Sequence, residues 1–260
     1  MKKIHLFLLI TLVSLSGCSF FGGDDKKLEE NWPVDRLYSE AKASLNVNDY
    51  ATAIKYYEQL EARFPFGKYA QQALLETAYA KYKQDEPEEA LATLDRFIRV
   101  YPLNPNLDYA YYLRGLVNFH RDVGLIEKYV PRDESQRDPG SAEAALNDFM
   151  TLLKRFPKSR YADDSAQRIV YLRNRLADHE VEVATYYMRR GAYVAALNRA
   201  KYVVENYPRT PATPDALVIM AKAYKVLELD DLSDDVLRVI SANYPGNTGV
   251  ATVNQVVIEE

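Results

Sequence analysis

Hydrophobic and small residues recur at fixed distances before five prolines of this chain, with polar residues between them. Each proline directly follows an aromatic residue: the pairs are Phe64-Pro65, Tyr101-Pro102, Phe156-Pro157, Tyr207-Pro208 and Tyr244-Pro245. Twelve positions before each proline stands a small residue: Ala53, Ala90, Ala145, Ala196 or Ser233. Five positions before each proline stands an apolar residue: Leu60, Phe97, Leu152, Val203 or Ile240. One register therefore runs through the chain.

The positions 12, 8, 5 and 1 before each proline lie on one stripe of a helix, because their spacing follows the 3.6-residue turn. Proline cannot continue a helix, so each aromatic-proline pair is predicted to end one. A second small position, 24 residues before the proline, would let two helices cross closely. Its residues are Ala41, Ala78, Ala184, Ala221 and, once an insertion is discounted, Gly115. The pattern resembles the tetratricopeptide (TPR) repeat, a hairpin of two antiparallel helices.

The intervals between the prolines are not all equal. The first and last intervals are 37 residues, whereas the second is 55 and the third is 51. The extra 14 residues of the third interval make about four helical turns, and residues 161–190 contain neither glycine nor proline. We therefore expect one long helix there, or two nearly coaxial ones. The extra 18 residues of the second interval fall within 119–141, where two glycines and two prolines predict a loop.

The sequence thus predicts an all-α protein, and the TPR resemblance implies a right-handed superhelix of five helix hairpins. The third repeat carries a long loop, and the fourth has an extended first helix. We expect the repeat domain to span residues 34–247, with an N-terminal half at 34–120 and a C-terminal half at 141–247. Residues 248–260 form a C-terminal tail. The alternative is an unrelated helix bundle in which the aromatic-proline pairs are ordinary helix ends.

The beginning of the chain resembles the export signal of a bacterial lipoprotein. A short basic start precedes an apolar run at 4–15, which is too short to span a bilayer permanently. The sequence LSGC that ends at Cys18 resembles the lipobox, after which the cysteine carries several acyl chains and anchors stably. We predict a signal peptide at 1–17 and a lipidated, flexible tether at 18–33 that reaches on the order of 20 Å. By analogy with lipoprotein sorting, Ser19 favours the periplasmic face of the outer membrane.

The composition narrows the possible chemistry. Cys18 is the only cysteine, so no disulfide can form within one chain. The formal charge of −4 becomes −6 when Lys2 and Lys3 leave with the signal peptide, and we expect no nucleic-acid partner. His120 and His179 are the only histidines after the signal, and the ten glycines form no phosphate-binding loop. We therefore expect no metal, no cofactor and no enzymatic activity.

Several short motifs carry a more specific resemblance. In chain order they are Pro65-Phe66-Gly67 with Tyr69, Arg96-Phe97-Ile98-Arg99, Pro105-Asn106 with Asp108-Tyr109, Arg114-Gly115-Leu116, Arg137-Asp138-Pro139, and Arg190-Gly191-Ala192 with Ala196 and Asn198-Arg199. With the lipobox and the five repeats, they resemble the BamD family, also called ComL or YfiO, from Cys18 to about Asn247. That family is the lipoprotein subunit of the β-barrel assembly machine of Gram-negative outer membranes. The tail at 248–260 has no counterpart in the family pattern.

The resemblance implies a non-enzymatic scaffold that is lipid-anchored in the outer membrane. Such proteins dock on a POTRA domain of the Omp85-type barrel subunit BamA, hold the lipoprotein BamC and other Bam subunits, and receive unfolded outer membrane protein precursors. Carried onto this sequence, the resemblance places the precursor site at Phe64, Phe66, Gly67 and Tyr69. It places partner-binding residues at Arg137, Asp138, Arg190, Asn198 and Arg199, and Arg199 is expected to pair with a carboxylate of the barrel subunit.

Two other functions stay open at this point. One is a TPR lipoprotein adaptor that binds peptidoglycan or components of the Tol-Pal system, and the other is a cell-wall hydrolase with an unrecognised carboxylate pair. The site residues also have plain structural explanations. Phe64 and Phe66 can serve packing between repeats, and Arg199 can be a solvated charge on a helix.

Overall fold

The computed structural model describes residues 31–121 and 139–255. These ranges hold ten α-helices and one 3₁₀ helix, without a strand. The helices are α1 (Val34–Asn46), α2 (Tyr50–Arg63), α3 (Lys68–Lys83), α4 (Pro87–Val100), α5 (Leu107–His120), α6 (Gly140–Arg155), α7 (Ala162–Arg189), α8 (Tyr193–Asn206), α9 (Thr213–Val226) and α10 (Asp230–Asn243). The 3₁₀ helix is Thr248–Gln255. The all-α prediction is confirmed, whereas most of the predicted loop lies outside the described residues.

The chain divides into two compact units, at residues 1–89 and 90–260. In the first unit α1 packs on α2, and α3 packs on both. Its core includes Leu37, Ala41, Ala53, Tyr57 and Leu60, which are fully buried. In the second unit each helix from α5 to α9 packs on the next one along the chain. Antiparallel neighbours joined by short turns are the arrangement that helix hairpins require.

The predicted register is confirmed by burial. Every residue that stands 12, 5 or 24 positions before a proline in the repeat pattern is buried. Gly115, the one glycine in the 24-residue position, has a direct reason: a Cβ there would lie 2.6 Å from Cε1 of Phe149. Ser233, the one serine in the 12-residue position, donates a hydrogen bond from its hydroxyl to the carbonyl oxygen of Ala221 at 3.0 Å. Both exceptions thus fit the close crossing of the two helices.

The second helix of each hairpin ends one residue before its aromatic residue. The aromatic N–H then donates to the carbonyl oxygen four residues earlier, at 2.7–2.8 Å. The donor and acceptor pairs are Phe64 and Leu60, Tyr101 and Phe97, Phe156 and Leu152, Tyr207 and Val203, and Tyr244 and Ile240. The proline that follows has no N–H to extend the helix, so the chain leaves it at the same point in each repeat.

The turns inside the hairpins share a feature that the hydrophobic pattern does not predict. In four hairpins the residue 17 positions before the proline has a φ between 58° and 71°; these residues are Asn48, Asp85, Gly191 and Glu228. The next residue donates its N–H to the carbonyl oxygen five residues earlier, which is the Schellman helix ending. The equivalent residue of the third hairpin is Gly140, where α6 begins. In that hairpin the insertion lies in the sequence between α5 and α6.

Two elements of the second unit differ from those of an ordinary hairpin. The predicted long helix is α7, which is continuous over 28 residues. After the last hairpin, the 3₁₀ helix packs on α9 and buries Val253 completely. The predicted tail at 248–260 therefore begins as part of the folded unit, because Val253 supplies an apolar side chain to its core.

Candidate interaction surfaces

The loop between α2 and α3 contains the four residues expected to contact a precursor peptide. Phe66 is 88% exposed, which is rare for a phenylalanine of a folded chain. Gly67 is the N-cap residue just before α3 and has a φ of 97°, a conformation that favours glycine, and no side chain caps the helix there. The loop therefore presents one unpacked aromatic ring beside a helix start whose first N–H groups lack a side-chain cap.

The other two residues of this site are held by the first unit's core. Phe64 and Tyr69 are half-buried and pack against the core cluster of that unit. The Tyr69 ring lies 5.1 Å from that of Tyr38, centroid to centroid. Arg63 lies 5.1 Å from the centroid of the Phe64 ring. The structure thus brings all four residues to one loop, but only Phe66 and Gly67 are fully on the surface.

Arg199 lies on α8 and is already paired within its own chain. Its Nη1 donates to both carboxylate oxygens of Glu180 on α7, each at 3.2 Å. The Glu180 side chain is 9% exposed and that of Arg199 is 49% exposed. Arg199 therefore neutralises a buried carboxylate while half of its own side chain faces solvent.

The remaining predicted partner residues divide into two groups. Asn198 and Arg190 are exposed, and the guanidinium of Arg190 lies 5.4 Å from the ring centroid of Tyr186. Cys18, Arg137 and Asp138 lie outside the described residues. Of the predicted partner site on the second unit, the structure therefore describes the turn after α7 and the outward face of α8.

Sequence reasoning missed a buried carboxylate in the first unit. Glu76 on α3 is 7% exposed and accepts hydrogen bonds from four side chains. Lys42 Nζ lies 2.5 Å from it, Gln72 Nε2 3.0 Å and the Tyr38 hydroxyl 3.4 Å, and the Tyr57 hydroxyl donates as well. Burial and the charge of Glu76 raise the pKa of Tyr38 to about 12. The same causes raise the pKa of Tyr57 well above its usual range.

A second buried carboxylate lies in the second unit. Asp148 on α6 is 4% exposed. Its Oδ1 accepts from Arg114 Nε at 2.9 Å and Nη2 at 2.5 Å, and its Oδ2 accepts from Asn118 Nδ2 at 3.0 Å. Arg114 Nη1 also donates to Asp95 at 2.6 Å. The Arg114 side chain thus ties α4, α5 and α6 together.

The sequence does indicate that Glu180 and Glu76 occupy buried helix positions. Glu180 stands four residues before Ala184, and Glu76 stands four residues before Ala80. Both alanines are fully buried, so each carboxylate lies on the buried stripe of its helix. A charged residue on a buried stripe needs a partner, so this position in the sequence marks both glutamates as candidates for buried ion pairs.

The described ranges offer neither a candidate metal site nor a candidate membrane span. In 31–121 and 139–255 no three or more His, Cys, Asp or Glu side chains are grouped so that they could hold a metal ion. No helix in the same part of the chain is long and apolar enough to cross a membrane.

Comparisons with known proteins identify the family. The family model described as YfiO, outer membrane lipoprotein, matches residues 30–239. The chain is 45% identical over 247 residues to the outer membrane protein assembly factor BamD of Neisseria meningitidis serogroup B, covering 94% of this chain and 92% of that protein. The chain belongs to the YfiO family of outer membrane lipoproteins. This confirms the family expected from the motifs.

Further relatives of this YfiO family member are similar over most of their length. The chain is 39% identical over 246 residues to the outer membrane protein assembly factor BamD of Xylella fastidiosa strain Temecula1, covering 94% of this chain and 83% of that one. Among solved structures it is similar to the crystal structure of the P58(IPK) TPR domain, with 15% identity and a TM-score of 0.41, covering 85% and 64% of the two chains. The YfiO match includes both candidate surfaces and ends before the 3₁₀ helix.

Proposed function

We propose that this chain is a non-enzymatic scaffold for the assembly of outer membrane proteins, lipidated at Cys18 and held at the periplasmic face of the outer membrane. The observation that carries the proposal is its 45% identity, over nearly the whole chain, to a protein named as an outer membrane protein assembly factor. Its two interaction surfaces are the loop at Phe64–Tyr69 and the outward face of α8.

The loop at 64–69 is proposed to receive unfolded outer membrane protein precursors. An extended, aromatic-rich peptide needs an apolar contact and backbone donors. Phe66 offers the apolar contact, since it is 88% exposed. The start of α3 at Gly67 offers backbone N–H groups that suit a terminal carboxylate. Phe64 and Tyr69 hold the loop by packing on the core of the first unit.

The face around Arg199 is proposed to dock on a POTRA domain of the Omp85-type barrel subunit. The bonds to Glu180 use Nη1, so the other N–H groups of the guanidinium can donate to a partner carboxylate. Glu180 fixes the position of the guanidinium, which reduces the side-chain entropy lost on binding. Arg190, in the turn after α7, and Asn198, on α8, are exposed and extend this surface. Arg137 and Asp138 are proposed to bind a BamC-like subunit or another member of the complex.

Site-specific photo-crosslinking in cells tests both surfaces together. A crosslinker at position 66 is expected to capture unfolded outer membrane protein precursors, and one at position 199 is expected to capture the Omp85-type subunit. Position 103 is the matched control, because Leu103 is 95% exposed and also directly follows a proline. An identical set of products from positions 66 and 103 would contradict the precursor site.

A pair of variants can separate the role of Arg199 in docking from its internal bond to Glu180. Arg199→Gln is expected to lower co-purification of the barrel subunit about tenfold, as expected for loss of a close charge pair. It also leaves Glu180 buried without its cation. The double variant Arg199→Gln with Glu180→Gln removes that penalty, so its melting temperature should return toward that of the wild type. If co-purification returns as well, Arg199 has only an internal role.

A pull-down in mild detergent distinguishes the proposed function from the alternatives. Recovery of an Omp85-type barrel in near-equal amount supports the assembly scaffold. Retention on isolated murein, without the barrel, supports the peptidoglycan or Tol-Pal adaptor. Cleavage of glycan that a single carboxylate substitution abolishes supports the hydrolase and rejects the scaffold.

A further inference from the structure

An aromatic pair marks the point where the described part of the chain begins. Trp32 precedes α1, and its ring lies 5.7 Å from that of Tyr56 on α2, centroid to centroid. The guanidinium of Arg36 lies 4.2 Å from the centroid of the Trp32 ring. Arg63 Nη2 donates to the carbonyl oxygen of Trp32 at 2.8 Å. Trp32 is thus held against α2 by ring contacts and a backbone hydrogen bond.

Cations surround this aromatic pair. Lys55 Nζ lies 5.2 Å from the centroid of the Tyr56 ring. Arg36, Lys55 and Arg63 are exposed, and Trp32 and Tyr56 are half-buried. We call these five residues the Trp32 patch. Half-buried Trp and Tyr with flanking Lys and Arg are the side chains that occupy the interface between lipid headgroups and water.

The position of the Trp32 patch in the chain indicates its occupant. Trp32 stands only 14 positions after Cys18, the proposed site of lipidation. A chain of that length reaches at most about 50 Å even when fully extended, so the patch cannot move farther than that from the bilayer that holds the acyl chains. The exposed cations complement the phosphates of lipid headgroups. Asp35 and Glu40 on the same helix reduce the local positive charge, so the aromatic rings are expected to carry part of the contact.

We propose that the Trp32 patch binds the phospholipid headgroups of the membrane in which the protein is anchored. Trp32 and Tyr56 lie at headgroup level, and Arg36, Lys55 and Arg63 contact phosphates. Binding at two points, the acyl chains and the patch, fixes the orientation of the first unit relative to the membrane surface. A single flexible tether would leave that orientation free. The inference depends on lipidation at Cys18 and does not depend on the identity of the protein partners.

The only tryptophan of the chain lies in the patch, so its fluorescence reports on this site alone. The mature lipidated protein is reconstituted in vesicles of phosphatidylethanolamine and phosphatidylglycerol, with or without a lipid that carries a nitroxide on its headgroup. Nitroxides quench only near contact, which the tether by itself does not enforce. We expect about twofold quenching of Trp32 by the headgroup nitroxide, and less by a nitroxide at the end of the acyl chain, as for an interfacial tryptophan.

A matched pair of charge variants controls this experiment. Lys55→Gln should reduce the quenching, and high salt should reduce it in the wild type. Lys201→Gln removes an exposed lysine from α8 in the second unit, so it should leave the quenching unchanged. Equal quenching in the two variants would show that the cation of Lys55 has no part in headgroup binding and would overturn that assignment.

Flotation of the vesicles separates failure of the anchor from failure of the patch. Protein that does not float has no lipid anchor, and the premise is then wrong. Protein that floats but shows no headgroup quenching overturns the proposal. If Trp32 is equally protected from iodide with and without vesicles, and the nitroxide has no effect, the chain itself covers the patch and the proposal is also overturned.

Discussion

Glu76 in the first unit and Asp148 in the second are both buried carboxylates, but their charges are balanced in different ways. Glu76 accepts from one ammonium group and three neutral donors, and the ammonium belongs to Lys42, whose side chain is 42% exposed. Asp148 accepts two bonds from the guanidinium of Arg114, whose side chain is 24% exposed, and one from an amide. The negative charge of Glu76 is therefore balanced by several donor side chains, whereas that of Asp148 is balanced mainly by one arginine.

This difference determines how each unit should respond to the loss of one donor. A buried carboxylate that keeps several donors retains most of its compensation when one is removed. Loss of Arg114 would remove the cation of Asp148 together with two of its three hydrogen bonds, which leaves the buried carboxylate largely uncompensated. We therefore expect loss of Arg114 to harm the second unit more than loss of any one neutral donor of Glu76 harms the first.

The largest expected effect is that of Arg114→Ala. This change leaves Asp148 buried with only the Asn118 amide, and it should lower the free energy of unfolding by about 3–5 kcal/mol. Chemical denaturation followed by far-ultraviolet circular dichroism measures the change. Asp95→Asn is the control, because Asp95 bonds to the same guanidinium but its side chain is 54% exposed, so it should cost under about 1 kcal/mol. Equal costs for the two variants would show that Asp148 does not depend on Arg114.

A smaller effect is expected from Tyr57→Phe in the first unit. The change removes one hydroxyl donor from Glu76 but leaves Lys42, Gln72 and Tyr38 in place, so it should cost about 1–3 kcal/mol. Unfolding is followed by the fluorescence of Trp32, which lies in the same unit. Tyr38→Phe is the matched control, because its hydroxyl is 3.4 Å from Glu76 and only half-buried, and it should cost less. A loss as large as that of Arg114→Ala would remove the contrast between the two units.

The repeat register could be predicted from the sequence because it depends on residue size. Each position in the register has one geometric role. A small residue marks a helix crossing, an apolar residue lies on the same buried stripe, and a proline marks the end of the helix. Gly115 fits this logic, since any larger residue there would meet Phe149. The end of α2 just before Phe64 followed from the same information, and the lack of glycine and proline in 161–190 predicted a long helical element where α7 lies.

The buried carboxylates could not be predicted in the same way, because their partners come from other helices. Arg199 was expected to serve a partner protein, and the structure shows that it first bonds to Glu180 of its own chain. The two lie 19 residues apart in sequence, and no periodicity connects them. The left-handed backbone conformation of Glu228 could not be predicted either, because glutamate has no preference for it and only the turn geometry imposes it. Sequence patterns indicate which face is buried, but the pairing of charges requires the packed helices.

The smallest expected effect concerns pH, and it sharpens the description of the Glu76 site. Tyrosine ionises near pH 10 in the unfolded chain, whereas burial and the charge of Glu76 raise the pKa of Tyr38 to about 12 in the folded one. The folded state therefore holds this proton more tightly. The stability that Tyr38 contributes is complete below pH 10, and it is lost as the pH rises from 10 toward about 12.

The measurement compares the free energy of unfolding of the wild type with that of Tyr38→Phe as the pH is raised. The difference between them should be constant up to about pH 9.5 and should then decline, because only the wild type has this hydroxyl to ionise on unfolding. Adding Glu76→Gln to both proteins removes one cause of the raised pKa but not the burial, so the decline should end at a lower pH and be smaller in total. A decline of unchanged size after Glu76→Gln would mean that burial alone sets the pKa of Tyr38. In that case the carboxylate of the first unit would influence its surrounding hydroxyls only through hydrogen bonds, and the contrast with the charge-paired Asp148 would be sharper still.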